Sequence, residues 1–151
     1  MGTMIGTEVN THKMIEHLLE YEYDVLEAYR SASGRLTHSQ ETATLASFEQ
    51  EHLEQIQNLA GITRAMGIQV PRAGDWHQIM TEGKVVLAGL VGELAVLRAV
   101  THNERNVLNA YERAAARPDV PDEVRAVLAL HRNRAQRRHK WLSERVEQLT
   151  S

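Results

Sequence analysis

The sequence predicts an all-α fold: a four-helix bundle of two antiparallel hairpins, joined by a long crossover that contains a short helix. Three observations lead there. Four long segments repeat apolar residues at three- and four-residue intervals, and no stretch alternates as a strand would. Two of those segments resemble each other. Two of the connections are short and one is long, as in a bundle with one crossover.

The first helix carries Ile15, Leu18, Leu19, Val25, Leu26, Tyr29 and Leu36 on one stripe. Ser33 and Gly34 weaken its end, and a turn follows over Leu36 to Ser39. Thr37 and Gln40 have the spacing of a capping box for the second helix. That helix carries Leu45, Phe48, Ile56, Leu59 and Ile62, and it stops at Gly67 with Pro71 just beyond. Residues 67–75 read as loop. Asp75 to Gly92, with Trp76, Ile79, Met80, Val85, Val86, Leu87 and Leu90, reads as an apolar crossover helix. The third main helix carries Leu94, Leu97, Val100, Val107, Leu108 and Tyr111, and ends before Pro118. Asp119 or Val120 caps the fourth, whose first turn holds Pro121, Asp122 and Glu123, as helix starts prefer. Its stripe is Val124, Val127, Leu128, Leu142, Val146 and Leu149.

A chain of 151 residues favours one domain with a real core, here 1–151 with residues 1–11 expected to be flexible. There is no Cys, which excludes disulfides, thiolate catalysis and Cys-held metals. No apolar run is long enough to span a membrane. The N-terminus lacks a signal-peptide pattern, and Gly6 stands where a myristoylation site needs Ser or Thr. The expected location is the cytoplasm. The net charge of −3 divides unevenly. Residues 1–66 hold ten acidic and four basic side chains, a balance of −6; residues 67–151 hold ten and thirteen, a balance of +3. The halves are expected to attract within one fold or between subunits of a homo-oligomer. Arg132, Arg134, Arg137, Arg138 and Lys140 cluster without aromatic neighbours, so they read as a solvated face and not a nucleic-acid site.

The repeat falls where the chemistry is unusual. Glu22-Tyr-Asp-Val-Leu-Glu-Ala-Tyr29 aligns with Glu104-Arg-Asn-Val-Leu-Asn-Ala-Tyr111, five of eight positions being identical. Both Glu22 and Glu104 interrupt apolar stripes, and a buried ionised Glu is costly unless paired or bound to metal. Glu49 and His52, three residues apart, share the inward face of the second helix. On the fourth, His139 lies between Ala135 and Leu142, with Gln136 three residues before it. In antiparallel hairpins, Glu22 meets His52 about a centre in the first turn, and Glu104 meets His139 about one in the second. His131 lies two turns before His139 and reads either as a substitute ligand or as a hydrogen-bonded core histidine.

These residues resemble the ferritin-like superfamily, such as rubrerythrins and bacterioferritins. That family sets one Glu from each of two helices, and a Glu-x-x-His from each of the others, around two iron or manganese ions. The spacing of Glu22 to Tyr29 is rubrerythrin-like. Within the superfamily, Val107–Ala114, Pro121–Leu128 and Arg138-His-Lys140 read like a bacterial four-helix-bundle family of unknown function. The resemblance covers roughly residues 12–149. It implies Glu22, Glu49, His52, Glu104 and His139 as ligands, with Tyr29 and Tyr111 behind them; His131 joins that outer group from its stripe position alone. Gln136 departs from the pattern, standing where the family has Glu. The implied cofactor is one or two iron or manganese ions, zinc staying open, and the implied chemistry is that of a di-iron oxidoreductase.

Two readings of the residues remain open. One is a partly degenerate metal site. The other is a metal-free polar layer inside an interaction or structural protein, which would associate through the apolar segment from Trp76 to Leu90. Without metal, the clustered glutamates are expected to repel one another and one to have a raised pKa.

Overall fold

The computed structural model describes residues 5–37, 39–67, 90 and 92–150. Four helices account for most of them: α1 Thr11–Ser33, α2 Ser39–Ala65, α3 Glu93–Ala115 and α4 Asp122–Thr150. No strand occurs among the described residues. The predicted crossover and its short helix fall almost entirely outside them, as does the predicted apolar interaction segment apart from Leu90.

Local chemistry sets the helix ends. The Asn10 side chain accepts a bond from the Lys13 backbone N–H at 2.9 Å, capping α1. Gly34 closes that helix. Thr37 does not complete the predicted capping box. Its backbone N–H and its hydroxyl both donate to Glu93 at the start of α3, the hydroxyl over 2.7 Å.

The helices pack as two hairpins, α1 with α2 and α3 with α4, and the hairpins lie side by side through α1 against α3 and α2 against α4. Both lateral contacts are antiparallel. Tyr29 meets Glu104 while Tyr111 meets Glu22. Along the other seam Glu41 meets Arg145, Glu51 meets Arg138, Glu54 meets Arg134 and Asn58 meets His131. Rising along α2 is therefore descending along α4. The acidic first half and the basic second half attract within the fold, through this seam. The core is otherwise aliphatic, including Met14, Ile15, Leu18, Leu45, Leu59, Leu97, Val107, Leu128 and Leu142, all fully buried. Each such side chain contributes about 2 kcal/mol from burial alone.

The repeat extends beyond the octapeptide. Buried residues of α1 and α3 correspond at a spacing of 82: Leu18 with Val100, Glu22 with Glu104, Val25 with Val107, Tyr29 with Tyr111. Those of α2 and α4 correspond at 83: Leu45 with Leu128, Phe48 with His131, His52 with Ala135, Gln55 with Arg138, Leu59 with Leu142. The two hairpins are pseudo-equivalent halves, and a polar layer lies where they meet.

Residues 5–10 pack against the α3–α4 end of the bundle. Ile5 is buried. The Arg113 guanidinium donates to the Ile5 carbonyl at 2.7 Å, and Arg117 donates to the carbonyls of Gly6 and Glu8.

Candidate polar layer at the centre of the bundle

Glu22, His52, Gln55, Glu104 and Arg138 are each fully buried, and Tyr29 and Tyr111 nearly so. They form one hydrogen-bonded network. His52 lies between the two glutamates, Nδ1 at 2.9 Å from Glu22 Oε2 and Nε2 at 2.5 Å from Glu104 Oε1. A carboxyl oxygen facing each ring nitrogen favours the protonated ring, in which both nitrogens donate. Glu22 Oε1 also accepts from Gln55 at 3.0 Å and from the Tyr111 hydroxyl at 3.0 Å. Glu104 Oε1 accepts from the Tyr29 hydroxyl at 2.5 Å and from Arg138 Nε at 2.9 Å. Arg138 Nη1 donates to Gln55 Oε1 at 3.0 Å and to Glu51 Oε1 at 2.8 Å.

Acidic and basic groups alternate within the layer: the carboxyls of Glu22 and Glu104 face the Arg138 guanidinium and the His52 ring. Burial alone would raise the Glu104 carboxyl; Arg138 first, and then His52, outweigh it and hold the group down at about 2. Burial, together with Arg138, pushes His52 downward, but Glu22 and Glu104 overcome both and raise it. Burial beside carboxylates pushes both tyrosines well up, which keeps them neutral donors. The expected repulsion between glutamates, with a raised carboxyl, is thus replaced by a lowered one at Glu104. The cause is Arg138, a cation that the apolar stripe did not reveal.

The predicted site residues divide into two groups. The fold brings Glu22, His52 and Glu104 together, with Tyr29 and Tyr111 bonded to them. Glu49 lies at the bundle edge, about a third exposed, with Oε2 3.7 Å from Arg30 Nε. Gln136 is exposed on α4. His139 is half-buried with Ser143 Oγ 3.4 Å from its Nε2, and burial, with Arg105, lowers its pKa. The α4 residues that point inward are His131, Ala135, Arg138 and Leu142, one position away from the predicted face at Arg138. His131 Nε2 accepts from Asn58 at 3.1 Å, its ring sets an edge against Tyr111, and burial pushes its pKa down to about 4. It adjoins the layer through Tyr111.

Arg138 and Gln55 belong to the layer but not to the predicted set. Extending the repeat from the first pair of helices to the second would have found them, since spacing 83 pairs Gln55 with Arg138.

The donor set does not suit two metal ions. Glu49 and His139, two of the five residues carried over from the resemblance, lie outside the layer, as does Gln136, and a fixed cation lies within it. Among the described residues no group of three or more His, Asp or Glu side chains is disposed to hold a metal. His52 spends each nitrogen on a different carboxylate, so the three candidate donors do not point at a common centre. One opening remains: Glu104 Oε2 and Arg138 Nη2 are buried without partners.

No protein-family model, curated protein or solved structure matches the chain. No helix of the described residues is long and apolar enough to cross a membrane.

Proposed function

We propose that this chain is a metal-free helical bundle acting as an interaction or structural protein, with an interior layer that orders the fold and performs no chemistry. The observation that carries this reading is the Arg138–Glu104 pair, with Nε and Oε1 2.9 Å apart and both side chains fully buried. A guanidinium already supplies the charge that a metal would supply. Buried ion pairs of this kind add little net stability compared with apolar packing, but they strongly disfavour arrangements that leave one partner alone. Here the layer fixes which helices face each other, because each hairpin's tyrosine bonds the other hairpin's glutamate. The seam arginines are engaged with glutamates, which argues against a nucleic-acid surface. Homo-oligomerisation belongs to this reading as a proposal.

A second reading has one observation in its favour. The unpartnered Glu104 Oε2 leaves a donor for a single iron or manganese ion shared with Glu22 and His52, within a ferritin-like ancestry. Metal analysis of the full chain purified without chelator separates the two. The metal-free reading expects sub-stoichiometric metal and a melting temperature unmoved by chelator. Stoichiometric iron or manganese, lost in His52→Ala, would establish the second reading instead.

A further inference from the structure

The repeat carries a charge pattern that the interior layer does not use. At equivalent positions on the two hairpins the surface charges are inverted: Glu16 corresponds to Arg98, Arg30 to Glu112, and Glu49 to Arg132. The same inversion holds along the α2–α4 seam, where Glu51 corresponds to Arg134 and Glu54 to Arg137. There it is satisfied within the chain, because the residues pair crosswise, Arg137 with Glu51 at 2.5 Å and Arg134 with Glu54 at 3.3 Å.

The outer grooves have no such internal complement. Arg105 marks the groove between α3 and α4, since it lies close enough to His139 to lower its pKa. Arg98 and Arg105 are exposed on α3 and form no ion pair among the described residues, and Arg132 on α4 reaches Asn133 beside it. The pair of Arg30 and Glu49, 3.7 Å apart, marks the matching groove between α1 and α2. Its carboxylates are held loosely or not at all. Glu16 lies 3.4 Å from an exposed Lys13. Glu20 has no ion pair among the described residues; burial first, with Glu16 adding to it against His17 and Lys13, raises its carboxyl. The hairpins pack side by side, so the acidic groove and the basic groove lie on opposite sides of the bundle. A cation on one cannot reach a carboxylate on the other within the same molecule.

We infer that the basic outer face of α3 and α4, through Arg98, Arg105 and Arg132, docks the acidic outer face of α1 and α2 of a second copy of this chain, through Glu16, Glu20 and Glu49. The inference deepens the interaction-protein reading and rests on it. The two surfaces differ and lie on opposite sides, so the contact is heterologous: each added copy presents a fresh face of each sign, and copies add head to tail. Exposed ion pairs are individually weak and are screened by salt. The assembly is therefore reversible, and it grows with protein concentration.

The test is sedimentation of the full chain at low and high salt, for the natural protein and for two charge reversals, Arg98→Glu with Arg105→Glu and Glu16→Lys with Glu20→Lys. Circular dichroism checks that each variant folds. The natural chain should associate at about 0.01 M salt and do so at least about tenfold more weakly near 1 M, as the screening length falls from about 30 Å to about 3 Å. Each variant alone should be monomeric, because its two faces then carry like charge. Mixing the two variants should restore association, since one now offers acidic faces and the other basic ones. A natural chain that is monomeric at low salt overturns the inference and leaves an interaction protein with a different partner. Association that ignores salt, or that survives in either variant alone, assigns the contact to another surface and also overturns it. So does a mixture of folded variants that stays monomeric. A monomeric natural chain that binds a single-stranded DNA oligonucleotide, with binding lost in Arg98→Glu with Arg105→Glu, overturns it in favour of a polyanion on the basic face. Metal content, which tests the metal-free reading, does not enter any of these outcomes.

Discussion

Arg138 Nε lies 2.9 Å from Glu104 Oε1, and solvent reaches neither side chain. One helical position away, Arg137 Nη2 lies 2.5 Å from Glu51 Oε2, yet its side chain is 56% exposed. Distance alone would rank the second pair as the stronger. Burial decides otherwise, because removing one partner of a buried pair leaves an uncompensated charge, whereas water solvates the survivor of an exposed one.

Arg138→Ala should therefore cost about 3–5 kcal/mol of unfolding free energy. Arg137→Ala should cost at most about 1 kcal/mol. Urea denaturation at neutral pH measures both. Equal losses would mean that the seam, and not the interior layer, carries the ionic contribution. The double change Glu104→Gln with Arg138→Gln should cost less than its two single changes summed, since neither charge is then left alone.

The tyrosine hydroxyls make reciprocal bonds between hairpins, Tyr29 to Glu104 and Tyr111 to Glu22. Each acceptor is a buried carboxyl that would lose a donor, so Tyr→Phe at either position should cost about 1–3 kcal/mol. The two losses should be similar, because the halves are pseudo-equivalent. A loss confined to one tyrosine, measured by denaturation of both variants, would show that the repeat in sequence is not a repeat in energetics.

How much of this was legible in the sequence differs between helices. On α1 and α3 an ungapped octapeptide match set the register, and Glu22, Tyr29, Glu104 and Tyr111 occupy the places that it predicts. On α4, Ala135 and Leu142 fixed the stripe but left 138 and 139 equally eligible, being three and four residues from each. A histidine beside an arginine then reads as the inward residue, because Arg is almost never fully buried unless paired. The partners that pay for its burial, Glu104, Glu51 and Gln55, lie on other helices and 34 to 87 residues away in the chain. Glu49 falls outside the layer for a related reason. It shares a turn with His52, but the inward stripe of α2 runs through Phe48, His52, Gln55 and Leu59, which leaves Glu49 at its edge.

Gln136 gives a simple check of that register. It lies exposed on α4, so Gln136→Glu should change stability by no more than about 0.5 kcal/mol. It should also leave any metal binding unaltered. A gain of bound iron or manganese in this variant would place residue 136 inside the bundle and contradict the observed face.

The N-terminal segment makes a close backbone approach. Gly6 has φ +104°, and a Cβ built there would lie 2.6 Å from Arg113 Cβ. Gly6→Ala is both strained in backbone and blocked in space, so residues 5–10 should detach from α3. Ile5 would then lose its buried site. Faster amide exchange over residues 5–10, with the layer still protected, is the expected outcome; unchanged exchange would mean that the segment does not depend on this approach.

Acid and base act on different members of the interior. Glu104 has its folded pKa depressed to about 2 from an ordinary 4.5, so its contribution is present above about 4.5 and is lost as pH falls toward 2. His52 is raised above 6.5, so its contribution is full below that value and is lost as pH rises through the folded pKa. His131 is depressed to about 4 by burial, so the folded state resists its protonation and stability is lost as pH falls from 6.5 toward 4. The histidines therefore oppose each other, His52 favouring mild acid and His131 neutral pH. His131→Phe places at this position the residue that the repeat has at Phe48, and it removes the titrating ring. Between pH 6.5 and 4.5 the natural chain should lose more stability than this variant, with the two curves converging in slope above pH 7. His52→Gln should instead flatten the decline on the alkaline side. Denaturant titrations of both variants across pH 4.5 to 9 separate the two effects. An acid slope for His131→Phe as steep as that of the natural chain would show that His131 is not held neutral by the fold.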